Sequence, residues 1–129
     1  MGLLGGVFGR GFEALLREAY SDLLRSIGVE EYEVQHFKYI DIDGKCLAPG
    51  TVIEIDIVVR DKQLWLLELK SNVEEKDVAW FHVVSQAAEK ILGRRADRRI
   101  ILGVVVDKEA YEYAKKLGLE IVYVNLVGD

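Results

Sequence analysis

Val52-Ile-Glu-Ile-Asp-Ile-Val58 and Leu66-Leu-Glu-Leu-Lys70 are the two stretches that decide the fold. Each alternates charged and large apolar residues with the two-residue period of a strand, so each face collects side chains of one kind. Glu54 and Asp56 share one face of the first stretch, with Ile53, Ile55 and Ile57 on the other. Glu68 and Lys70 share a face of the second, opposite Trp65, Leu67 and Leu69. Strands are predicted over 51–60 and 64–70, and the polar residues 61–63 between them read as a hairpin turn. Pairing Arg60 with Leu64 keeps the apolar rows together and sets Asp56 opposite Glu68 and Glu54 opposite Lys70, whereas a two-residue turn would mix the faces. Two carboxylates are then close neighbours, which is unfavourable unless something compensates. Lys70 supplies one positive charge. A divalent cation would supply the rest, since Mg²⁺ prefers one or two carboxylates with water and substrate oxygens. A solvent-facing hairpin with alternating charge produces the same pattern, so the pattern alone leaves both readings open.

Outward from the hairpin, residues 12–27 read as a helix. Phe12, Leu15, Leu16, Ala19, Leu23, Leu24 and Ile27 recur at steps of three and four, and Gly28 follows at the position that ends a helix. A strand is predicted over 32–42, followed by a loop bounded by Asp43-Gly44 and Pro49-Gly50. After the hairpin, Asn72 is expected to cap a helix with Glu75 completing a capping box, running through Ile91 to a stop near Gly93. Its adjacent Trp80 and Phe81 diverge by about 100°, so only one of them fits the core. Residues 99–106 form an almost uninterrupted apolar strand, the pattern of a strand covered on both faces. Asp107 caps a helix over 108–117 that Gly118 ends, and residues 120–124 form a last strand. The order α-β-β-β-α-β-α-β predicts an α/β fold with a mixed central sheet flanked by helices.

The 129 residues (14.6 kDa) are expected to form a single domain over 1–129, with 1–10 as an arm or interface segment. A chain 50% hydrophobic and 30% charged is globular rather than disordered or fibrous. The net charge of −5 excludes a whole-surface attraction to nucleic acid but leaves room for a local basic patch. The single cysteine, Cys46, excludes an internal disulfide and favours a reducing compartment. No apolar run approaches the ~20 residues of a membrane span. The segment 1–11 is too short and glycine-rich for a secretory signal, so a cytoplasmic location is expected. One Met and only five Asn and Gln, beside abundant Glu, Lys and Arg, lean toward a thermophile. His36 and His82 lack ligand spacing and read as surface residues of a strand and a helix. Gly5-Gly6 and Gly9-x-Gly11 follow no strand, so no nucleotide cofactor is expected.

At Asp56 and Glu68-Leu69-Lys70 the sequence resembles the PD-(D/E)XK nuclease superfamily, which includes restriction endonucleases, archaeal Holliday-junction resolvases and RecB-like nuclease domains. The family signature is an acid on one strand, then Glu or Asp, any residue, and Lys on the next; here the acids stand twelve positions apart. The element order matches the α-β-β-β-α-β core of the family, and the likeness runs from Gly11 onward, closest to small archaeal members. Glu13 sits where many members carry a glutamate on the first helix. The proline that names the motif is absent, Ile55 taking its place.

The resemblance implies a restriction-endonuclease-like fold and a metal-dependent nuclease acting on DNA. Asp56, Glu68 and the backbone carbonyl of Leu69 would hold Mg²⁺ or Mn²⁺, with Glu13 reaching the ion directly or through water. The ion would polarise a phosphodiester oxygen and lower the pKa of a bound water, while Lys70 would position that water and offset charge on the phosphate. Gln86 lies where some branches place a polar residue, and Glu54 is a second accessory candidate. Arg94, Arg95, Arg98 and Arg99 form the one basic cluster and are candidates for phosphate contacts; a solvated loop pairing with nearby acids is the alternative. A homodimer is expected, since residues 122–127 read as an edge strand able to pair with another copy. The competing function is a non-catalytic module of the same fold that binds a partner or nucleic acid. A small-molecule-binding α/β domain ranks last.

Overall fold

The computed structural model describes residues 20–29 and 34–128. Residues 20–26 are helical (α1) and are followed by β1 (Val34–Asp41), β2 (Thr51–Arg60), β3 (Leu64–Val73), α2 (Glu75–Leu92), β4 (Arg98–Asp107), α3 (Lys108–Lys116) and β5 (Glu120–Val127). The strands form one sheet in sequence order. The β1–β2 and β2–β3 pairs are antiparallel, and β3–β4 and β4–β5 are parallel. This is the predicted mixed α/β architecture, consistent with a restriction-endonuclease-like fold. Successive crossovers in one direction place their helices on one face of a sheet. Accordingly α2 and α3 share a core with Ile53, Ile55, Leu66 and Ile101. On the other face Tyr20 and Leu23 of α1 pack against Ile57, Leu67, Ile100 and Leu102. β4 is buried on both faces, as its unbroken apolar run predicts.

The alternation in β2 does not run straight through. Gln35 pairs with Val58 and Phe37 with Ile55, leaving two residues, Asp56 and Ile57, opposite the single His36. This bulge shifts the phase of the strand. Ile53, Ile55 and Val58 enter the core beneath α2, whereas Ile57 enters the core beneath α1. The expected common apolar row of Ile53, Ile55 and Ile57 is therefore corrected. The hairpin is not polar on one face either, because Leu64 and Leu66 of β3 face α2 while Leu67 faces α1.

The other differences are local. β3 continues through Asn72, so the helix cap lies two residues later than predicted. Glu74 is the cap and Asp77 closes the capping box, each side chain meeting the other residue's backbone N–H. α2 ends at Gly93, which adopts φ 70°. Phe81 is buried and Trp80 exposed, the division the helix geometry requires. β5 runs to Val127, three residues beyond the prediction. Asp107 precedes α3 but makes no side-chain capping bond.

Asp41, at the end of β1, is the one buried acid among the described residues. Its carboxylate accepts N–H bonds from Cys46 (3.2 Å) and Leu47 (2.7 Å), and its carbonyl accepts from Gly50 (2.7 Å), so it ties down the β1–β2 loop. Asp41→Ala leaves two loop amides without their acceptor and is expected to destabilise the fold by about 1–3 kcal/mol. Thermal unfolding checks this, and an unchanged midpoint would refute the anchoring role.

Candidate active site at the fork between two strands

The hairpin register is the predicted one next to the turn, but the expected pairs of Asp56 with Glu68 and Glu54 with Lys70 are not part of the ladder. Arg60 pairs with Leu64, and the ladder continues through Val59 with Trp65 and Val58 with Leu66 to Ile57 with Leu67. There the β2–β3 ladder stops, although β3 goes on pairing with β4 from Trp65 to Val73. The two strands part where the acids lie. Asp56 fills the fork: its Oδ2 accepts the backbone N–H of Leu69 at 2.8 Å, in place of a partner from the β2 main chain. The bulge on one side and the end of the ladder on the other free Asp56 from a regular strand position and let its carboxylate reach across toward β3.

Glu68 adjoins it. The Glu68 carboxyl is pushed up to about 9, first by burial and then by the neighbouring Asp56 charge. Lys70 opposes the shift and Asp77 adds to it. Without a metal, this shift favours the neutral form of the Glu68 carboxyl. Two half-buried neighbouring carboxyls offer hard oxygen donors whose mutual repulsion a divalent cation would relieve. The donor chemistry suits Mg²⁺ or Mn²⁺ and not a thiolate or imidazole zinc site. Among the described residues no cluster of three or more potential ligand side chains forms. Glu13, the expected third carboxylate, lies outside the described residues.

Lys70 Nζ lies 3.2 Å from Asp77 Oδ1, while Asp77 Oδ2 accepts the Glu74 N–H at 2.9 Å. Asp77 therefore couples the first turn of α2 to the site lysine. Sequence reading missed it by assigning the capping box to Asn72 and Glu75; the Glu74-x-x-Asp77 spacing was the available signal. It missed Tyr20 as well. This side chain is 1% exposed, and its hydroxyl has no hydrogen-bond partner among the described residues. Burial, then the charges of Asp56 and Glu68, hold its phenol far above the ordinary range. Tyr20 follows Leu16 by four and precedes Leu23 by three, so the helical period could have found it.

Glu54 does not approach Lys70 in the manner the extrapolated register suggested. It accepts from or pairs with His36 Nε2 at 2.8 Å, and the other ring nitrogen of His36 lies 3.3 Å from the Asp56 carbonyl. His36 is thus a half-exposed residue bracing the bulge. Gln86 is exposed on α2. His82 contacts Arg99, and burial followed by that positive charge lowers its pKa.

The basic cluster is dispersed. Arg98 makes two hydrogen bonds to Glu120 (2.6 and 2.9 Å) and lies 4.5 Å over the Trp65 ring. Arg99 reaches Ser85 Oγ at 3.1 Å and the Leu117 carbonyl at 3.3 Å across the opposite face. Arg94 donates to the Lys62 carbonyl at 2.6 Å. Arg95 is exposed. Arg98 pairs with Trp65 and Ile101 with Glu68, so the cluster begins three residues from the acids, about 10 Å along the strands.

No described helix is long and apolar enough to cross a membrane. No curated protein and no solved structure matches the chain. A family profile described as the PD-(D/E)XK nuclease superfamily matches residues 51–120, more than half of the sequence and every strand of the fork. Members of that superfamily are generally nucleases and typically use divalent metals. With its acids on β2 and β3 and its lysine two residues beyond the second acid, the chain belongs to the PD-(D/E)XK nuclease superfamily.

Proposed function

We propose that this protein, read as one domain over residues 1–129, is a metal-dependent nuclease that hydrolyses DNA phosphodiester bonds at the β2–β3 fork. The observation that carries the reading is the half-buried Asp56–Glu68 pair at the fork with Lys70 on the same strand as Glu68. Asp56, Glu68 and the Leu69 carbonyl would hold Mg²⁺ or Mn²⁺, with Glu13 completing the set. When bound, the ion supplies Lewis-acid activation of the phosphodiester and of a water nucleophile.

The chain's own residues do the rest. Asp56 is fixed by the Leu69 N–H, which orients one oxygen and leaves the other for a ligand. Glu68 would act as a ligand in its deprotonated form, so metal binding would be coupled to loss of its proton. Lys70 is 39% exposed, so its ammonium can leave Asp77 for the phosphate, orient the attacking water and offset charge developing on the phosphoryl oxygens. Asp77 holds the ammonium beside the site when no substrate is present.

The test is cleavage of labelled junction, flap, duplex and single-stranded DNA with Mg²⁺ or Mn²⁺ at low salt, wild type beside Lys70→Ala. Wild-type cleavage that EDTA abolishes and Lys70→Ala reduces at least about 100-fold is expected. A folded wild type that cuts none of these substrates would sink the reading and favour a non-catalytic module.

A further inference from the structure

The two edges of the sheet are built differently. β1 carries Gln35, His36, Lys38 and Asp41 along eight residues, and charge on an edge strand is a common guard against pairing with another chain. β5 has eight residues and one charge, Glu120, which Arg98 neutralises through two hydrogen bonds. From Ile121 to Val127 the only polar side-chain groups are the Tyr123 hydroxyl and the Asn125 amide. Tyr123, Val124, Leu126 and Val127 are 37–52% exposed. Among the described residues β5 pairs with β4 alone, so the backbone groups of its outer side have no ladder partner. It carries no proline, lysine or recorded bulge. Such an edge is an open template for another strand.

We propose that β5 pairs antiparallel with β5 of a second copy, joining two sheets into one of ten strands. A second copy fits better than a foreign strand because the edge is self-complementary. Its single charge lies at one end, so antiparallel pairing centred on Val124 brings no like charges opposite each other; Ile121 meets Val127, Val122 meets Leu126, and Tyr123 meets Asn125. The same patch on both copies makes the contact isologous and closed.

The geometry has a consequence for the site. A two-fold between antiparallel neighbours stands perpendicular to the sheet, so both copies turn the same face to the same side. Lys70 lies level with Gly103 and, through it, with Tyr123, one residue from Val124. The two Lys70-bearing β3 strands would flank the axis, five strand spacings or about 24 Å apart, with a fork on the outer side of each. Resting on the nuclease reading, this arrangement presents two sites to one duplex and predicts cutting of both strands in a single encounter.

The experiment separates the two ideas. Sedimentation from about 1 to about 100 µM should show a species of twice the 14.6 kDa chain, with Val124→Lys and Leu126→Lys each monomeric while keeping the wild-type circular dichroism. Hydrogen exchange of the wild type should show β5 amides gaining protection as concentration rises. A wild type that stays monomeric, dimerisation unaffected by both variants, or β5 exchange independent of concentration would each overturn the pairing. On supercoiled plasmid the dimer should give linear product directly and Val124→Lys mostly nicked circles. A dimer that cuts nothing would defeat the nuclease reading while leaving the pairing intact.

Discussion

Asp56→Asn is expected to lower DNA cleavage by at least about 1,000-fold while leaving the fold within about 1 kcal/mol of wild type. The asparagine oxygen still accepts the Leu69 N–H that the carboxylate accepts at 2.8 Å, so the fork keeps its tie. What is lost is the charge that a divalent cation would require. Asp56→Ala removes both functions. It should be equally inactive but also melt lower, by about 1–3 kcal/mol, because the Leu69 N–H is part-buried and loses its acceptor. Parallel cleavage assays and thermal melts of the two variants distinguish the electrostatic role from the structural one. Equal melting of Asn and Ala variants would contradict the tie, and near-normal cleavage by Asp56→Asn would contradict the catalytic assignment.

Glu68→Gln should be inactive and, without metal, more stable than wild type above neutrality. The Glu68 carboxyl is raised from 4.5 to about 9 in the folded protein. The native state therefore keeps a proton that the unfolded chain releases. The stability this contributes is fully present below about pH 4.5, falls as pH rises and is gone once the folded pKa is passed. Between about pH 6 and pH 8.5 the wild type should lose on the order of 2 kcal/mol relative to Glu68→Gln, or roughly 5–10 °C in EDTA. Adding Mg²⁺ should recover the loss in the wild type alone, since ligands that bind the native state stabilise it. Parallel pH–melting curves for the two proteins would show that Glu68 does not carry the buried proton.

Much of this was legible in the residues. The turn at 61–63, the pairing of Arg60 with Leu64 and the two-sided burial of β4 follow from local periodicity, and the structure shows all three. The bulge was not legible. Its cause is the mismatch between β1 and β2 around His36, a property of two strands that neither announces alone. The same holds for Asp77. A capping box two residues farther along satisfies the same spacing rule, and only the continuation of β3 through Asn72 decides between them. The arginines looked like a patch because they are close in sequence. In space successive strand residues point to opposite faces, so Arg98 and Arg99 part company, one to Trp65 and Glu120, the other to Ser85 and Leu117.

The extra residue at Asp56–Ile57 makes β2 intolerant of changes in length while tolerant of changes in composition. Deleting one residue there would restore a regular ladder with β1 and, in the same stroke, exchange inside and outside for half the strand: Ile53 and Ile55 would turn away from α2, or Ile57 and Val58 would trade cores. A hydrophobic swap at any of these positions costs only its packing, whereas a one-codon deletion would rewire both cores and the fork together. In a lineage of such proteins, insertions and deletions should therefore accumulate in the 42–50 and 61–63 connections and stay out of the middle of this strand.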